Sequence, residues 1–230
     1  MKPLGLAVGA AQLSMLAALA AAVAALAMRL GTATSACPAP DFVLVSQRLV
    51  AGGRVRPGAV VVRGGVIGAV TSVEEGRALG LPVEDAAAAA VLPGAVDIHV
   101  HLNEPDAPPR AGWEGLRSGT MAAAAGGVTT VVDMPLNSVP TTLDAASFRA
   151  KLSAARAPGK LHTDVGFWGG LVPGNALDEG ALRGMLEAGA LGLKAFQSPS
   201  GIPDFGNANE THLRAGVRAL GGGPLPPDAQ

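Results

Sequence analysis

The sequence predicts an α/β protein: a partial (β/α)8 TIM barrel of about four βα units, preceded by a small β-sandwich portion and an N-terminal apolar helix. Three observations lead to this prediction. β-branched runs bounded by glycines occupy residues 41–90, strand-like and helix-like segments alternate over residues 91–220, and a long apolar stretch opens the chain. Because 49% of the 230 residues are hydrophobic, the chain can bury a core, which disfavours wholesale disorder.

The first 40 residues are predicted to be a signal anchor or a signal peptide, followed by a linker. Residues 4–28 form the apolar stretch, which Arg29 closes. A bilayer span needs about 20 such residues, whereas the apolar core of a cleaved signal peptide is roughly 7–15 residues long. Small residues at Ser35 and Ala36 are typical of a signal peptidase site. An uncleaved anchor and a long cleaved signal peptide both stay open, with a buried Ala-rich helix as the third alternative.

Residues 41–90 are predicted to form a small antiparallel β unit, the N-terminal part of a composite β-sandwich. Segments 42–50 and 59–70 are rich in β-branched residues and bounded by glycines. Gly64 and Gly65 separate two short apolar runs, which is a hairpin signal.

Residues 91–220 are predicted to form the partial barrel. The predicted strands are 95–101, 128–133, 161–167 and 190–196, and the predicted helices are 113–125, 143–157 and 179–188. Strands that alternate with helices at this spacing predict βα units and a parallel sheet. The second helix is predicted to begin at Thr141 or Thr142 as N-cap. A closed barrel takes about 250 residues, more than follow Pro93, and the Gly- and Pro-rich residues 221–230 predict a disordered tail.

The most informative polar pattern lies in residues 97–101, which read DIHVH. Side chains alternate faces along a strand, so Asp97, His99 and His101 share one face. Val96, Ile98 and Val100 take the other face, toward the helices of a barrel. Two neutral imidazoles on one face of a strand make a metal clamp. The alternative is two unrelated polar residues on an exposed strand, and the residues that follow, NEP at 103–105, favour the metal site.

A second candidate is Lys194, within the apolar segment 190–196. Burying a charged lysine is costly, so burial favours the neutral, nucleophilic amine. Such an amine can take up CO₂ as a carbamate, whose two oxygens can bridge two metal ions about 3.5–4 Å apart. The alternative is a lysine that extends from the strand end into solvent, and the spacing alone favours this alternative.

These segments resemble a known family. Residues 93–101 (PGAVDIHVH) resemble the signature that opens the barrel in the amidohydrolase superfamily. The segments that resemble allantoinases within that superfamily are HLNEP at 101–105, WEG at 113–115, GGVTTVVDMPLNS at 126–138, DVGFWGGLVPGN at 164–175 and KAFQSPSG at 194–201. The resemblance covers residues 42–220 and favours allantoinases over the alternatives, dihydropyrimidinase/hydantoinase-type and dihydroorotase-type cyclic amidohydrolases.

The resemblance implies a role for five residues. His99 and His101 match the first metal-binding pair of the family, and Lys194 matches the lysine that is carboxylated and bridges two divalent ions, usually Zn²⁺. Asn103 and Asn137 fall where relatives contact the substrate. The implied reaction is hydrolysis of the cyclic amide of allantoin to allantoate, in purine catabolism, with a hydroxide held by the metals as the nucleophile.

The remaining polar candidates receive no catalytic role. Asp97 is interpreted as structural, and His162 and His212 as surface residues. The family takes two more metal-binding histidines and its general-base aspartate from strands after the carboxylated lysine, but Asp204 and Asp228 of this chain lie in loop-like segments. We therefore expect a fragment, truncated at its C-terminus, that lacks the catalytic base, binds metal weakly and is inactive by itself.

Two other functions stay open: a non-catalytic amidohydrolase-fold partner that assembles with full-length subunits, and a membrane-anchored binding module that depends on residues 4–28. The formal net charge of −1 predicts no nucleic-acid binding. The single cysteine excludes an internal disulfide framework and a multi-cysteine zinc site. The resemblance implies a homo-oligomer. Together with the apolar N-terminus, it predicts a location in the endoplasmic reticulum or secretory pathway, with residues 4–28 as the segment for membrane attachment.

Overall fold

A computed structural model describes residues 39–108 and 112–221 of the chain. The apolar helix and signal segment predicted within residues 1–38, and the tail predicted beyond residue 221, lie outside the described residues. The chain divides into two compact units, Met1–Pro93 and Gly94–Gln230, which are described separately below. Within the described part of the chain, no helix has the length and apolar character needed to cross a membrane.

Between residues 39 and 93, the described part of the first unit contains a five-stranded sheet and one short helix. Its elements in chain order are β1 (Phe42–Ala51), β2 (Arg54–Arg63), β3 (Val66–Thr71), α1 (Val73–Ala78), β4 (Val83–Asp85) and β5 (Ala90–Val91). β1, β2 and β3 are antiparallel neighbours, as predicted. β4 and β5 pair with β1 in parallel. The prediction of a purely antiparallel unit is wrong here, because α1 returns the chain across the sheet before β4 begins.

Glycine pairs make both hairpin turns of this sheet. Gly64 and Gly65 join β2 to β3 with φ of 55° and 80°, which confirms the predicted hairpin. Gly52 and Gly53 join β1 to β2 with φ of 56° and 72°. The sequence did not reveal this second hairpin, because β2 begins in an exposed, arginine-bearing stretch that lacks alternating apolar residues.

The second unit alternates strands with helices, which confirms the predicted α/β class. Its elements in chain order are β6 (Ala95–Val100), α2 (Gly115–Ala125), β7 (Val128–Asp133), α3 (Ala145–Ala155), β8 (Asp164–Phe167), β9 (Gly169–Gly170), α4 (Glu179–Glu187), β10 (Leu193–Lys194) and α5 (Glu210–Gly221). β6, β7 and β8 form a parallel sheet in that order, and β9 pairs in parallel with β10. The fourth predicted strand, 190–196, is therefore only two residues long.

The N-cap of α3 is Asp144, which corrects the prediction of Thr141 or Thr142. The Asp144 carboxylate accepts a hydrogen bond from the Ser147 backbone N–H at 2.7 Å, and the Ser147 hydroxyl accepts one from the Asp144 N–H at 3.0 Å. This reciprocal arrangement satisfies two backbone donors at the start of the helix. Thr142 is instead fully buried in the loop before the helix.

Two apolar clusters stabilise the second unit. The larger lies between the parallel strands and their helices, and its fully enclosed members include Leu116, Phe148, Leu182 and Met185. Full burial of each such side chain contributes about 1.5–3 kcal/mol. The smaller cluster joins the loops that follow the strands, and its buried members are Met134, Leu136, Val172 and Phe205. This second cluster fixes the loops at the carboxyl ends of the parallel strands.

Candidate metal and substrate site

The two histidines of the DIHVH motif lie side by side at the end of β6. The imidazole centroids of His99 and His101 are 5.5 Å apart, with the rings inclined at 51°. The carboxylate of Asp97 accepts a hydrogen bond from the backbone N–H of His99 at 3.0 Å, so it shapes the backbone that carries the first imidazole. This placement provides two nitrogen donors on neighbouring rings.

The apolar face of β6 differs from the prediction. Val96 and Ile98 are 61% and 57% exposed, whereas Val100 packs against the larger core cluster. We expected all three to be covered by helices. The difference arises because α2, the helix that follows β6, packs against β7 and leaves Val96 and Ile98 uncovered.

Lys194, at the end of β10, is brought to the same region as the histidines. Its ammonium lies 4.6 Å from the centroid of the Phe196 ring, within cation–π range. Its positive charge is one of the influences that lower the pKa of His101. The fold thus places within electrostatic range two residues that are far apart in the sequence.

The pKa of the His101 imidazole is held below its ordinary value. The largest cause is desolvation. The carboxylate of Asp133 opposes the shift, while His99, Lys194 and Lys151 add to it. The imidazole is therefore neutral near pH 7, which is the form that donates a nitrogen lone pair to a metal.

A buried ion pair lies behind the histidines, and the sequence did not reveal it. Lys151 on α3 lies with its Nζ 2.5 Å from Oδ2 of Asp133, at the end of β7. Lys151 also donates to the Met134 carbonyl at 2.8 Å, and Asp133 Oδ1 accepts from the Leu102 N–H at 2.6 Å. Burial lowers the pKa of the Lys151 ammonium, and the nearby carboxylate opposes that shift. The sequence signals that could have revealed the pair are a charged residue, Asp133, at the end of an apolar strand and another, Lys151, inside a helical segment.

The two candidate substrate residues lie in neighbouring loops. Asn103 follows β6 and Asn137 follows β7, both with left-handed backbones at φ of 62° and 69°. A hydrogen bond of 2.8 Å from the Val139 N–H to the Pro105 carbonyl ties the loops together. Asn103 is fully buried, and within the described structure neither its side-chain oxygen nor its nitrogen has a hydrogen-bond partner. An enclosed carboxamide without partners calls for a ligand or water to satisfy it.

The first loop is held by a carboxylate in one of the quoted motifs. Glu104 accepts a hydrogen bond from the Leu116 N–H at 2.8 Å and pairs with Lys160 at 2.7 Å. The NEP and WEG motifs, apart in sequence, therefore meet at the start of α2. This contact anchors the loop that carries Asn103.

The other histidines lie elsewhere. His162 is exposed just before β8 and lines a broad open depression at the amino ends of β7 and β8. His212 lies on α5, where its Nδ1 accepts from the Asn209 N–H at 3.2 Å. Asp204 is hydrogen-bonded by the Thr141 hydroxyl. Among residues 39–108 and 112–221, no three side chains of His, Cys, Asp or Glu are grouped so that they could hold a metal ion.

Comparison with known proteins shows which class of protein the chain resembles. Residues 90–193 match the amidohydrolase family. The fold also resembles L-hydantoinase (dihydropyrimidinase) from Arthrobacter aurescens, with a TM-score of 0.63 and 27% identity over 80% of this chain and 39% of that one. Dihydropyrimidinase from Brevibacillus agri gives a TM-score of 0.63 and 26% identity over 78% and 37%. Over residues 90–193 in sequence, and in its fold, the chain is therefore similar to amidohydrolases.

In sequence, the chain is homologous to allantoinases. It is 51% identical to a probable allantoinase of Oryza sativa subsp. japonica, over 83% of this chain and 37% of the relative. It is 45% identical to the allantoinase of Arabidopsis thaliana, over 81% and 36%. The chain thus spans little more than a third of the length of these relatives.

Proposed function

We propose that this chain supplies part of the active site of an allantoinase, a hydrolase that opens the cyclic amide of allantoin to give allantoate. The observation that carries the proposal is the adjacent pair His99 and His101, with Lys194 in electrostatic range, at the carboxyl ends of parallel strands. Enzymes with parallel barrels place their sites at this end. On this proposal, the second unit is the first part of a (β/α)8 barrel.

We propose that His99 and His101 bind a divalent ion and that carboxylated Lys194 holds two such ions together. The donor chemistry fits, because neutral imidazoles are preferred ligands of Zn²⁺. In the carboxylation of Lys194, the neutral amine attacks the carbon of CO₂, an N–C bond forms and the nitrogen releases a proton. The product is an anion with two donor oxygens. A bound divalent ion acts as a Lewis acid toward an amide carbonyl.

The carboxamides of Asn103 and Asn137 are proposed to bind the substrate. A ureide ring presents both N–H donors and carbonyl acceptors, and a carboxamide offers the matching acceptor and donor. The enclosed, unpartnered amide of Asn103 supports this role. These residues orient the ring, whereas the histidines and Lys194 hold the metals.

The remaining expectations stay predictions. The expected inactivity of the 230-residue chain by itself is one of them. The others are assembly with longer subunits, a homo-oligomeric state and a location in the secretory pathway.

The metal site is tested by zinc content. The purified 230-residue chain is equilibrated with Zn²⁺ and bicarbonate, dialysed and measured by mass spectrometry of the metal. We expect His101→Ala to retain less zinc than the unaltered chain and His162→Ala, at an exposed histidine outside the site, to retain the same amount. Equal zinc in all three proteins would contradict the proposed ligands.

The substrate is tested by binding. Saturation-transfer NMR compares allantoin with hydantoin and dihydroorotate, each at the same concentration with the zinc-loaded chain. We expect allantoin to give the strongest saturation-transfer signal. This signal is expected to be weaker in the Asn103→Leu variant. A stronger signal from hydantoin would favour the hydantoinase-type alternative, which the structural resemblance to L-hydantoinase supports.

A further inference from the structure

A buried ion pair lies directly behind the carboxyl end of β6. The side chains of Asp133 and Lys151 are 0% and 1% exposed, and their charged atoms are 2.5 Å apart. Desolvating two charges costs more than their attraction returns unless further hydrogen bonds satisfy both groups. Asp133 and Lys151 therefore need hydrogen bonds beyond their ion pair, and the groups that make these bonds are held in place by the two side chains.

The further hydrogen bonds reach the backbone on both sides of His101. On one side, the buried carboxylate accepts from the Leu102 N–H at 2.6 Å. On the other side, the Met134 N–H donates to the Val100 carbonyl at 2.9 Å, and Lys151 Nζ donates to the Met134 carbonyl at 2.8 Å. The residues before and after His101 are thus both bonded to groups that Lys151 holds.

We propose that Asp133 and Lys151 are a positioning pair that fixes the backbone on either side of His101 and so presents its imidazole to a divalent cation. The inference rests on the proposed function of His99 and His101 as metal ligands. Residues that orient a ligand reduce the rearrangement needed when the metal binds. The pair itself touches neither the metal nor the substrate.

Two double variants separate the effect of the hydrogen bond from the Leu102 N–H to Asp133 from the effect of the two buried charges. Asp133→Asn with Lys151→Met removes both charges and keeps an oxygen that can accept from the Leu102 N–H. Asp133→Leu with Lys151→Met removes both charges and that acceptor as well. Neutral replacement of both members of a buried ion pair is often tolerated, whereas removal of one member leaves an uncompensated charge. We therefore expect both double variants to fold, which circular dichroism checks.

The first measurement is the dissociation constant for Zn²⁺, by competition with a chromophoric chelator, using the full 230-residue chain. The Leu/Met variant is expected to bind about 10–100-fold more weakly, as is typical when a residue that orients a metal ligand is lost. The Asn/Met variant keeps the acceptor for the Leu102 N–H and loses the bond from Lys151 to the Met134 carbonyl, so it is expected to bind zinc only a few-fold more weakly than the unaltered chain. Equal affinity in the two double variants would overturn the proposal.

A matched control tests general destabilisation. Thr120 is fully buried on α2 and donates to the Leu116 carbonyl at 2.7 Å. Thr120→Val is expected to lower the midpoint of urea unfolding and leave zinc affinity unchanged. A parallel loss of zinc affinity in this variant would mean that any weakening of the core acts on the site, which contradicts a specific positioning role.

A second measurement does not need bound metal. NMR of the histidine side chains in the metal-free chain, with His101 identified through His101→Ala, is expected to give one sharp signal for the unaltered chain and the Asn/Met variant. The Leu/Met variant is expected to give a shifted, broadened or split signal. If the unaltered chain binds no zinc, the proposed metal site is wrong, but the NMR signal of His101 still shows whether Asp133 and Lys151 fix its position. An unchanged signal in the Leu/Met variant would refute their positioning role.

Discussion

The indole of Trp168 donates a hydrogen bond to the backbone carbonyl of Ile98, with 2.8 Å between Nε1 and the oxygen. Trp168 directly follows β8 and Ile98 lies on β6, so the bond passes across the middle strand β7. Ile98 immediately precedes the first candidate metal ligand, His99. The side chain of Trp168 therefore links the outer strands of the sheet next to the candidate site.

Replacing Trp168 by Phe removes this bond and retains an aromatic ring. We expect a loss of about 0.5–1.5 kcal/mol in the free energy of unfolding, the usual contribution of one hydrogen bond, measured by urea titration. The other tryptophan gives the matched control: Trp113 is 52% exposed, and Trp113→Phe is expected to change stability by less than about 0.5 kcal/mol. Equal losses of unfolding free energy in the two variants would show that the hydrogen bond to Ile98 does not stabilise the fold.

Gly192 leaves the space that the Trp168 ring occupies. A Cβ atom added at Gly192 would lie 2.6 Å from Cζ3 of the indole, closer than real Cβ contacts. Gly192→Ala is therefore expected to displace the ring and cost about 1–3 kcal/mol, as overpacking does. Gly174, where an added Cβ meets nothing within 4 Å, gives the control Gly174→Ala. Thermal unfolding of both variants checks the prediction, and a neutral Gly192→Ala would contradict it.

The parts of the fold that local patterns encode could be predicted. Strand alternation predicts that His99 and His101 share a face, and the contact of their rings agrees with this prediction. The hairpin at Gly64 and Gly65 follows from glycines that adopt positive φ. In each case, the information lies within a few consecutive residues.

The parts that depend on tertiary contacts were missed. Asp133 and Lys151 are paired because the loop after β7 leads into α3, and no local pattern records which charge meets which. The pairing of β4 and β5 with β1 is similarly decided by where α1 returns the chain. The N-cap Asp144 was overlooked in favour of nearby threonines, since all three are good capping residues and only the fold selects among them.

Asp144 makes the stability of α3 depend on pH. Hydrogen bonds from the Ser147 backbone N–H and hydroxyl hold the pKa of the Asp144 carboxyl below its ordinary value. A lowered folded-state pKa gives stability that is present above the unfolded value of about 3.9 and is lost as pH falls through the folded value. Asp144→Ala is expected to cost about 1 kcal/mol at pH 7, the usual loss of an N-cap.

The measurement compares urea unfolding at pH 7 and near pH 3. Because Asp144 is exposed, solvent screening keeps the electrostatic part small. Asp144→Asn retains an oxygen acceptor without a titratable proton, so it is expected to keep most of the stability and show less pH dependence. If Asp144→Ala lowers the free energy of unfolding as much near pH 3 as at pH 7, the cap does not depend on the ionised carboxylate and the prediction is wrong.

Lys194 is the residue whose proposed chemistry can be separated from its packing. If its amine binds CO₂ before metal is held, zinc uptake by the unaltered chain should rise when bicarbonate is supplied and fall in buffer purged of CO₂. Lys194→Ala should bind less zinc and show no response to bicarbonate, because it has no amine to carboxylate. Lys160, which pairs with Glu104 at 2.7 Å, gives the control Lys160→Ala, in which the response should persist.

Lys194→Glu adds a further test. The glutamate side chain is shorter than a carboxylated lysine, but it supplies a carboxylate that does not depend on CO₂. We expect part of the zinc uptake to return in this variant and to be independent of bicarbonate. Because the glutamate side chain is shorter than a carboxylated lysine, recovery should be incomplete. A bicarbonate response that survives in Lys194→Ala would place the reactive amine elsewhere in the chain.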